Sequence, residues 1–240
     1  MKADQGHRRL QGRTALITGA SRGIGAAVAK AYAAEGAHVI LLARTQGGLE
    51  ETDDAIRAAG GSATLMPFDL SETKKLDAIG PAITERFKRL DILVGNAAMF
   101  GGLSPVAQSD PKIFEEIFRV NFFANYRLIR ALDPLLRASD AGRAIFVTSG
   151  AAHLAEPYWG AYAASKAALE RMVYAYAAET AYSPLKVNIL DPGIVRTNMR
   201  REAFPGEDPS KLPAPESVVE RFIELAAPGY AGTGKIVMAA

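Results

Sequence analysis

The chain has 240 residues, of which 49% are hydrophobic and 22% charged, and its formal net charge is +2. This composition is typical of a folded globular protein, and the near-neutral charge favours neither nucleic acid nor a membrane surface as a partner. With no cysteine and three histidines, the chain offers no disulfide, no reactive thiolate and no evident metal site.

Short apolar runs alternate with helical patterns along the whole chain. The predicted strands are Thr14–Thr18, His38–Leu42, Ser62–Met66, Asp91–Val94, Arg143–Thr148, Leu185–Leu190 and Lys235–Met238. The predicted helices are Ile24–Glu35, Gly48–Ala59, Glu72–Arg89 (broken at Gly80–Pro81), Pro111–Ala138 (bent at Pro134), Gly160–Tyr182 and Glu216–Ala226. Continuous apolar strands alternating with helices predict one α/β domain over residues 1–240, a Rossmann-like doubly wound parallel sheet of about seven strands.

Two further segments have predicted roles outside the sheet. Residues 1–11 are charged and lack an apolar run, which predicts a flexible solvated arm and no signal peptide. No apolar run is long enough to span a membrane, so a cytoplasmic location is expected. Residues 198–215 are rich in proline and show no clear period, which predicts a loop that covers the substrate.

A glycine-rich loop joins the first predicted strand to the first predicted helix. Gly19, Gly23 and Gly25 follow Thr18 in a Gly-x-x-x-Gly-x-Gly spacing. Backbone N–H groups at the start of a helix attract phosphate oxygens, and the helix dipole adds to the attraction. Such glycines can also form a plain tight turn, but the strand before them and the helix after them favour a dinucleotide site.

Tyr162 and Lys166 lie four residues apart in a predicted helix, so their side chains share one face. An ammonium group near a phenol lowers the pKa of the phenol, which prepares a tyrosine to give and accept a proton. The same spacing also occurs by chance on exposed helices. The glycine loop earlier in the chain favours a catalytic role.

These motifs resemble the short-chain dehydrogenase/reductase family across residues 13–199. Ser149 stands thirteen residues before Tyr162, as in that family, and Asp69 follows the third predicted strand. Asn96-Ala97-Ala98 is similar to the family's Asn-Asn-Ala-Gly, with departures at Gly95 and Ala98. The segment from Asp191 to Thr197 is similar to the family's Pro-Gly motif.

The resemblance implies hydride transfer between a nicotinamide cofactor and a carbonyl or alcohol. It implies that Tyr162 donates or accepts the proton, that Ser149 holds the substrate oxygen and that Lys166 contacts the nicotinamide ribose. It further implies that Asn121 positions a water that connects the lysine to solvent. The cofactor-binding residues that it implies, together with the glycine loop, are Gly19, Ser21, Arg22, Gly23, Ile24, Gly25, Arg44, Asp69, Leu70, Asn96, Ala97, Tyr162, Lys166, Pro192, Gly193, Ile194 and Thr197.

The residues that follow the second predicted strand favour NADP(H) over NAD(H). NAD-selective sites usually place a carboxylate there, whereas this chain has Ala43 and two nearby cations, Arg22 and Arg44. A guanidinium can bind a phosphate through two hydrogen bonds. The alternative is that both arginines face solvent.

The predicted substrate pocket is mostly apolar, which favours an apolar or mixed carbonyl or alcohol. Its candidate lining residues are Met99, Phe100, Leu103, Ala151, His153, Leu154, Pro157, Tyr158, Trp159, Met199 and Phe204. His153 is either a substrate contact or a structural residue. Arg196, Arg200 and Arg201 are either contacts to a phosphate or to an anionic substrate, or solvated loop charges.

Two other functional classes and the oligomeric state stay open from the sequence. One alternative is a dinucleotide-binding regulator without turnover, although such a protein would not need Ser149, Tyr162, Lys166 and Asn121 together. Nucleic-acid binding is disfavoured because no basic cluster lies beyond the first dozen residues. We expect a homodimer or homotetramer, with a dimer preferred because the chain lacks the family's glycine-rich end.

Overall fold

The computed structural model describes residues 8–239 and confirms the predicted doubly wound parallel sheet. Its seven strands lie in the order β3-β2-β1-β4-β5-β6-β7, and every neighbouring pair is parallel. The strands are β1 (Thr14–Thr18), β2 (His38–Ala43), β3 (Ser62–Pro67), β4 (Ile92–Gly95), β5 (Arg143–Val147), β6 (Lys186–Asp191) and β7 (Ile236–Met238).

Helices cover both faces of the sheet. They are α1 (Gly23–Ala34), α2 (Gln46–Ala58), α3 (Ile79–Phe87), α4 (Pro111–Phe118), α5 (Ala124–Arg137), α6 (Gly160–Glu179), α7 (Asn198–Ala203) and α8 (Val219–Ala226). Side chains alternate along β1, so Ala15 and Ile17 pack toward α1, α2 and α8, while Leu16 packs toward α3, α5 and α6. Burial on both faces explains why the strands are continuously apolar.

Two predicted helices differ from the structure in where they are interrupted. Residues Thr73–Ala78 form a 3₁₀ turn and α3 begins at Ile79, so the predicted interruption falls two residues before Gly80–Pro81 and Pro81 lies in the first turn of α3. Residues Arg119–Phe123 form a π turn between α4 and α5, and Pro134 stays inside α5. A π turn is a local widening of the helix that hydrophobic periodicity does not reveal.

The two segments with predicted roles outside the sheet are more ordered than expected. The predicted arm is wrong for residues 8–11, because Leu10 is fully buried in the core and Arg9 pairs with Glu35 at 2.7 Å. The rest of that arm, residues 1–7, lies outside the described residues. Residues 198–215 contain α7 and a 3₁₀ turn at Pro209–Lys211, so they are not a plain loop.

Within residues 8–239, no helix has the length and apolar character needed to cross a membrane. The same residues contain no cluster of three or more side chains that could bind a metal ion.

Candidate active site

A cavity of about 850 Å³ opens at the carboxyl ends of the strands. It lies where the strand order reverses, since β1 pairs with β2 on one side and with β4 on the other. Loops that diverge from such a reversal leave a crevice, and ligands of doubly wound sheets bind there.

The glycine loop forms one wall of this cavity. Gly19 and Gly23 have φ angles of +69° and +56°, which side-chain-bearing residues rarely adopt. A Cβ atom on Gly25 would lie 2.6 Å from Asn96 Nδ2 and would also clash with the carbonyl oxygen of Gly19. Gly25 does not itself line the cavity; its missing side chain lets α1 pack closely against the loop and the end of β4.

Thr18 ties the glycine loop to the end of β4. Its hydroxyl oxygen accepts hydrogen bonds from the backbone N–H groups of Asn96 at 2.9 Å and Ala97 at 3.0 Å, and its O–H donates to the carbonyl of Val94 at 3.2 Å. The Asn96 amide donates in turn to the Thr18 carbonyl at 2.9 Å. These bonds fix the two walls of the crevice relative to each other.

The first turn of α1 faces the cavity, and no described side chain caps it. Its backbone N–H groups are therefore available to an anion. Arg22, which precedes α1, and Arg44, which follows Ala43 at the end of β2, both line the cavity. Asp69 and Leu70 line the same end, and one Asp69 oxygen accepts a hydrogen bond from the Ser71 N–H at 2.8 Å.

Ser149, Tyr162 and Lys166 meet at the other end of the cavity. Ser149 follows β5, while Tyr162 and Lys166 lie one turn apart on α6. Lys166 is 2% exposed, and its Nζ donates to the carbonyl of Val147 at 2.8 Å and lies 5.8 Å from the centre of the Tyr162 ring. The structure thus brings Ser149, Tyr162 and Lys166 together in one cavity.

Burial dominates the proton affinities of this pair. It raises the pKa of Tyr162 to about 12, against a smaller opposite effect of the hydrogen bond with Ser149. It lowers the pKa of Lys166 to about 8, although Glu170 and Asp191 act to raise it. The sequence led us to expect a lowered pKa for the phenol. Burial outweighs that effect and shifts the pKa of the phenol upward instead.

Asn121 lies in the π turn, fully buried, and does not line the cavity. Its amide exchanges hydrogen bonds with the backbone N–H and carbonyl of Met99 at 2.7 and 3.0 Å, and donates to Ser165 Oγ at 2.9 Å. Its own carbonyl accepts from Asn125 at 2.8 Å. Asn121 therefore joins the loop after β4 to α6.

His153 pairs with Glu170 and does not line the cavity. Its Nε2 lies 3.1 Å from a carboxylate oxygen of Glu170, which also accepts from the Thr148 hydroxyl at 2.5 Å. The Glu170 side chain is only 2% exposed. His153 and Thr148 therefore both contact a buried carboxylate, which lies one helical turn beyond Lys166. The structural interpretation of His153 is therefore favoured over the substrate contact.

The apolar candidates for the substrate pocket divide into two groups. Lining residues among them are Met99, Phe100, Trp159, Met199 and Phe204. The others do not line the cavity and are partly or fully exposed elsewhere: Leu103, Ala151, Leu154, Pro157 and Tyr158. Periodicity does not specify where the side chains of an irregular loop point, which is why the sequence could not separate the groups.

Arg200 has a cavity partner that the sequence did not indicate. Its Nε and Nη2 donate to the Glu207 carboxylate at 2.6 and 2.8 Å, and its guanidinium carbon lies 3.8 Å from the centre of the Phe204 ring. Glu207 was missed because the ion pair spans the end of α7 and the loop after it. Arg196 and Arg201 also line the cavity.

Comparison with known proteins identifies relatives over most of the chain. The family model described as short chain dehydrogenase matches residues 13–208. The uncharacterized oxidoreductase YciK of Escherichia coli K12 is 36% identical over 219 residues, covering 90% of this chain and 86% of the relative.

Solved structures agree closely in fold. A short chain dehydrogenase from Shigella flexneri 2a in complex with NADP superposes with a TM-score of 0.93 at 35% identity, covering 97% of this chain and 99% of the other. One from Escherichia coli CFT073 in complex with NADPH gives a TM-score of 0.91 at 36% identity, covering 97% and 98%.

Proposed function

Because this chain belongs to the short-chain dehydrogenase family, we propose that it is an NADP(H)-dependent oxidoreductase acting on a carbonyl or alcohol substrate. The observation that carries the proposal is one cavity lined both by the glycine loop and by Ser149, Tyr162 and Lys166. A protein that only binds a dinucleotide needs the first group and has no use for the second.

The shape and charge of the cavity fit a phosphorylated dinucleotide. The uncapped start of α1 and the left-handed glycines would hold the pyrophosphate, while Arg22 and Arg44 would hold the additional phosphate of NADP(H). Asp69, Leu70, Asn96 and Ala97 would enclose the adenosine half. The Pro-Gly segment, with Pro192, Gly193, Ile194 and Thr197, would hold the nicotinamide half.

The bound nicotinamide supplies or takes the hydride. Tyr162 transfers the proton, and Ser149 donates a hydrogen bond to the substrate oxygen. Lys166, held by the Val147 carbonyl, contacts the nicotinamide ribose and stabilises the phenolate that remains after proton transfer. Asn121 acts through Met99 and Ser165 and is a positioning residue.

The protonation state of Tyr162 favours carbonyl reduction. Burial raises the pKa of Tyr162 to about 12, so at neutral pH the side chain carries the proton that a carbonyl oxygen needs. Oxidation of an alcohol requires the phenolate, which forms at higher pH.

The proposal is tested by following NADPH consumption with a panel of ketones, aldehydes, quinones, sugars and acyl thioesters. Turnover of at least one carbonyl supports an enzyme. Tight NADPH binding without consumption across the panel would instead support the non-catalytic regulator.

Members of this family act on small molecules. The sequence also predicts an oligomeric state and a cellular location for this chain. We propose a homodimer or homotetramer, which light scattering on the purified protein measures. The cytoplasmic location also stays a prediction, which microscopy of a tagged protein tests.

A further inference from the structure

A third apolar cluster surrounds the phenol of Tyr162, apart from the two that cover the faces of the sheet. Phe100, Tyr162 and Ala203 are buried in it, and Ala151, Trp159 and Met199 pack against them. The two large clusters stabilise the fold. Most members of this small cluster line the cavity instead, so a ligand in the cavity would contact the edge of the cluster that faces it.

Three aromatic rings in and beside this cluster form what we call the aromatic wall: Phe100, Trp159 and Phe204. The ring centres of Phe100 and Trp159 lie 5.0 Å apart. Each ring centre also lies 5.9 Å from that of Tyr162 in an edge-to-face arrangement, with angles between the ring planes of 73° for Phe100 and 67° for Trp159. Phe204 extends the wall, with its ring centre 5.9 Å from that of Trp159.

The backbone on both sides of Trp159 is held in place. Tyr158 adopts a φ of +73°, a strained conformation for a residue with a side chain, and its carbonyl accepts from the Ser104 N–H at 3.1 Å. A Cβ atom on Gly160 would lie 2.6 Å from Val106, so this turn packs closely on the loop after β4. The wall is therefore present before a ligand arrives.

Charge at the wall is neutralised. Arg200 lies over Phe204 but is paired with Glu207 through two short hydrogen bonds, so it does not present a free cation to a substrate. Arg196 and Arg201 also line the cavity, but in the described part of the chain neither lies over a ring of the aromatic wall as Arg200 does.

We infer that the substrate carbonyl is attached to a flat, uncharged ring that stacks against the aromatic wall with its oxygen toward Tyr162. This rests on the proposed function. In the reaction the carbonyl carbon accepts a hydride, the oxygen accepts the proton of Tyr162, and the reduced nicotinamide is oxidised. Aryl ketones and aldehydes fit this description, whereas short oxo acids and phosphorylated aldehydes do not.

Trp159 is the only tryptophan of the chain, so its fluorescence reports binding at the wall without any turnover. We expect a saturable change in emission when acetophenone is added to the protein saturated with NADP⁺, a pair that cannot react because both are already oxidised, and no change with pyruvate. In parallel, kcat/KM for NADPH oxidation with acetophenone should exceed that with pyruvate by at least about tenfold, the effect of one or two aromatic contacts.

Phe100→Leu should raise the KM for acetophenone by about three- to tenfold with a smaller change in kcat. Phe114→Leu, which removes an equal ring from the stacked pair with Phe118 away from the cavity, is the matched control and should leave both constants unchanged. Equal effects of the two variants would overturn the assignment of the wall.

The outcomes separate this inference from the proposed function. Higher kcat/KM with pyruvate or glyceraldehyde 3-phosphate than with acetophenone would overturn the ring substrate and leave the oxidoreductase standing. A saturable response of Trp159 without NADPH consumption on any carbonyl would support the ring site and overturn the enzyme. Absence of both the response and acetophenone turnover would overturn the ring site.

Discussion

The Nζ atom of Lys166 donates a hydrogen bond of 2.8 Å to the carbonyl oxygen of Val147. Val147 is the last residue of β5, two positions before Ser149, so this bond ties α6 to the strand that carries the serine. A lysine buried in this way is stabilised by one carbonyl and, at longer range, by the carboxylates of Glu170 and Asp191. Burying the Lys166 charge positions the ammonium group in the site but destabilises the folded state.

Lys166→Met should therefore stabilise the protein while it inactivates it. The folded pKa of about 8 lies below the ordinary 10.5, so below pH 8 the buried charge destabilises the fold by about 3 kcal/mol. Removing the charge, and with it a hydrogen bond of about 1 kcal/mol, leaves a gain of about 2 kcal/mol at pH 7.

The stability advantage of Lys166→Met over wild type should depend on pH. Between pH 8 and pH 10 the unfolded wild type binds more protons than the folded one, so its free energy of unfolding rises and the advantage of Lys166→Met shrinks. Urea unfolding across pH 7 to 10 measures this, with exposed Lys74→Met as the control. A variant that is less stable than wild type at pH 7 would contradict the argument.

Tyr162→Phe should retain NADPH binding and lower kcat by at least about a hundredfold, the usual effect of losing a general acid. The ring and its contacts with Phe100 and Trp159 remain, so only the proton is lost. Steady-state kinetics and a nicotinamide fluorescence titration measure the two effects. Tyr182→Phe, a change at a fully exposed ring, should alter neither. Activity retained in Tyr162→Phe rules out the role that we assign to the phenol.

Arg44→Asp should weaken NADPH binding by about a hundredfold and spare NADH. A charge-assisted hydrogen bond to a phosphate contributes about 1.5–3 kcal/mol, and the new carboxylate repels that phosphate while it can accept from ribose hydroxyls. Dissociation constants for both nucleotides provide the test. Arg221→Ala, which removes an exposed arginine paired with Glu224, is the control. Equal losses for both nucleotides would mean that Arg44 does not read the phosphate.

Gly25→Ala should abolish cofactor binding indirectly, because the new methyl group displaces the glycine loop and does not itself reach the cavity. The added methyl group would meet the Gly19 carbonyl and Asn96 Nδ2, so the loop must shift and the fold loses about 1–3 kcal/mol. Gly47→Ala is the matched control, because nothing lies within 4 Å of its Cβ position and alanine favours helix α2 by about 0.5–1 kcal/mol. Thermal unfolding and NADPH titration measure both variants. Normal NADPH affinity in Gly25→Ala would show that the loop tolerates the shift.

The strands and the polar end of the site were predictable from local sequence. Continuous apolar runs identify buried parallel strands, and a four-residue spacing places Tyr162 and Lys166 on one face whatever surrounds the helix. The glycine loop is recognisable because positive φ angles at Gly19 and Gly23 depend on residue type.

Features that depend on the surroundings were not predictable. The π turn around Asn121 is set by amide bonds to Met99 and Ser165, which are distant in sequence. Burial, which only the folded chain determines, raises the pKa of Tyr162 where the neighbouring ammonium alone suggested the opposite. The predicted arm failed at Leu10 because a single apolar side chain between Arg9 and Gln11 gives no periodic pattern.

The reversal of strand order between β1 and β4 also separates the residues that select the nucleotide from those that select the carbonyl substrate. Arg44 follows β2 on one side of the reversal, whereas Phe100 follows β4 on the other, and the two share no partner among residues 8–239. Substitutions at independent positions combine additively in free energy. Nucleotide preference and carbonyl preference can therefore be re-engineered separately, and a chain altered at both positions should inherit each new selectivity undiminished.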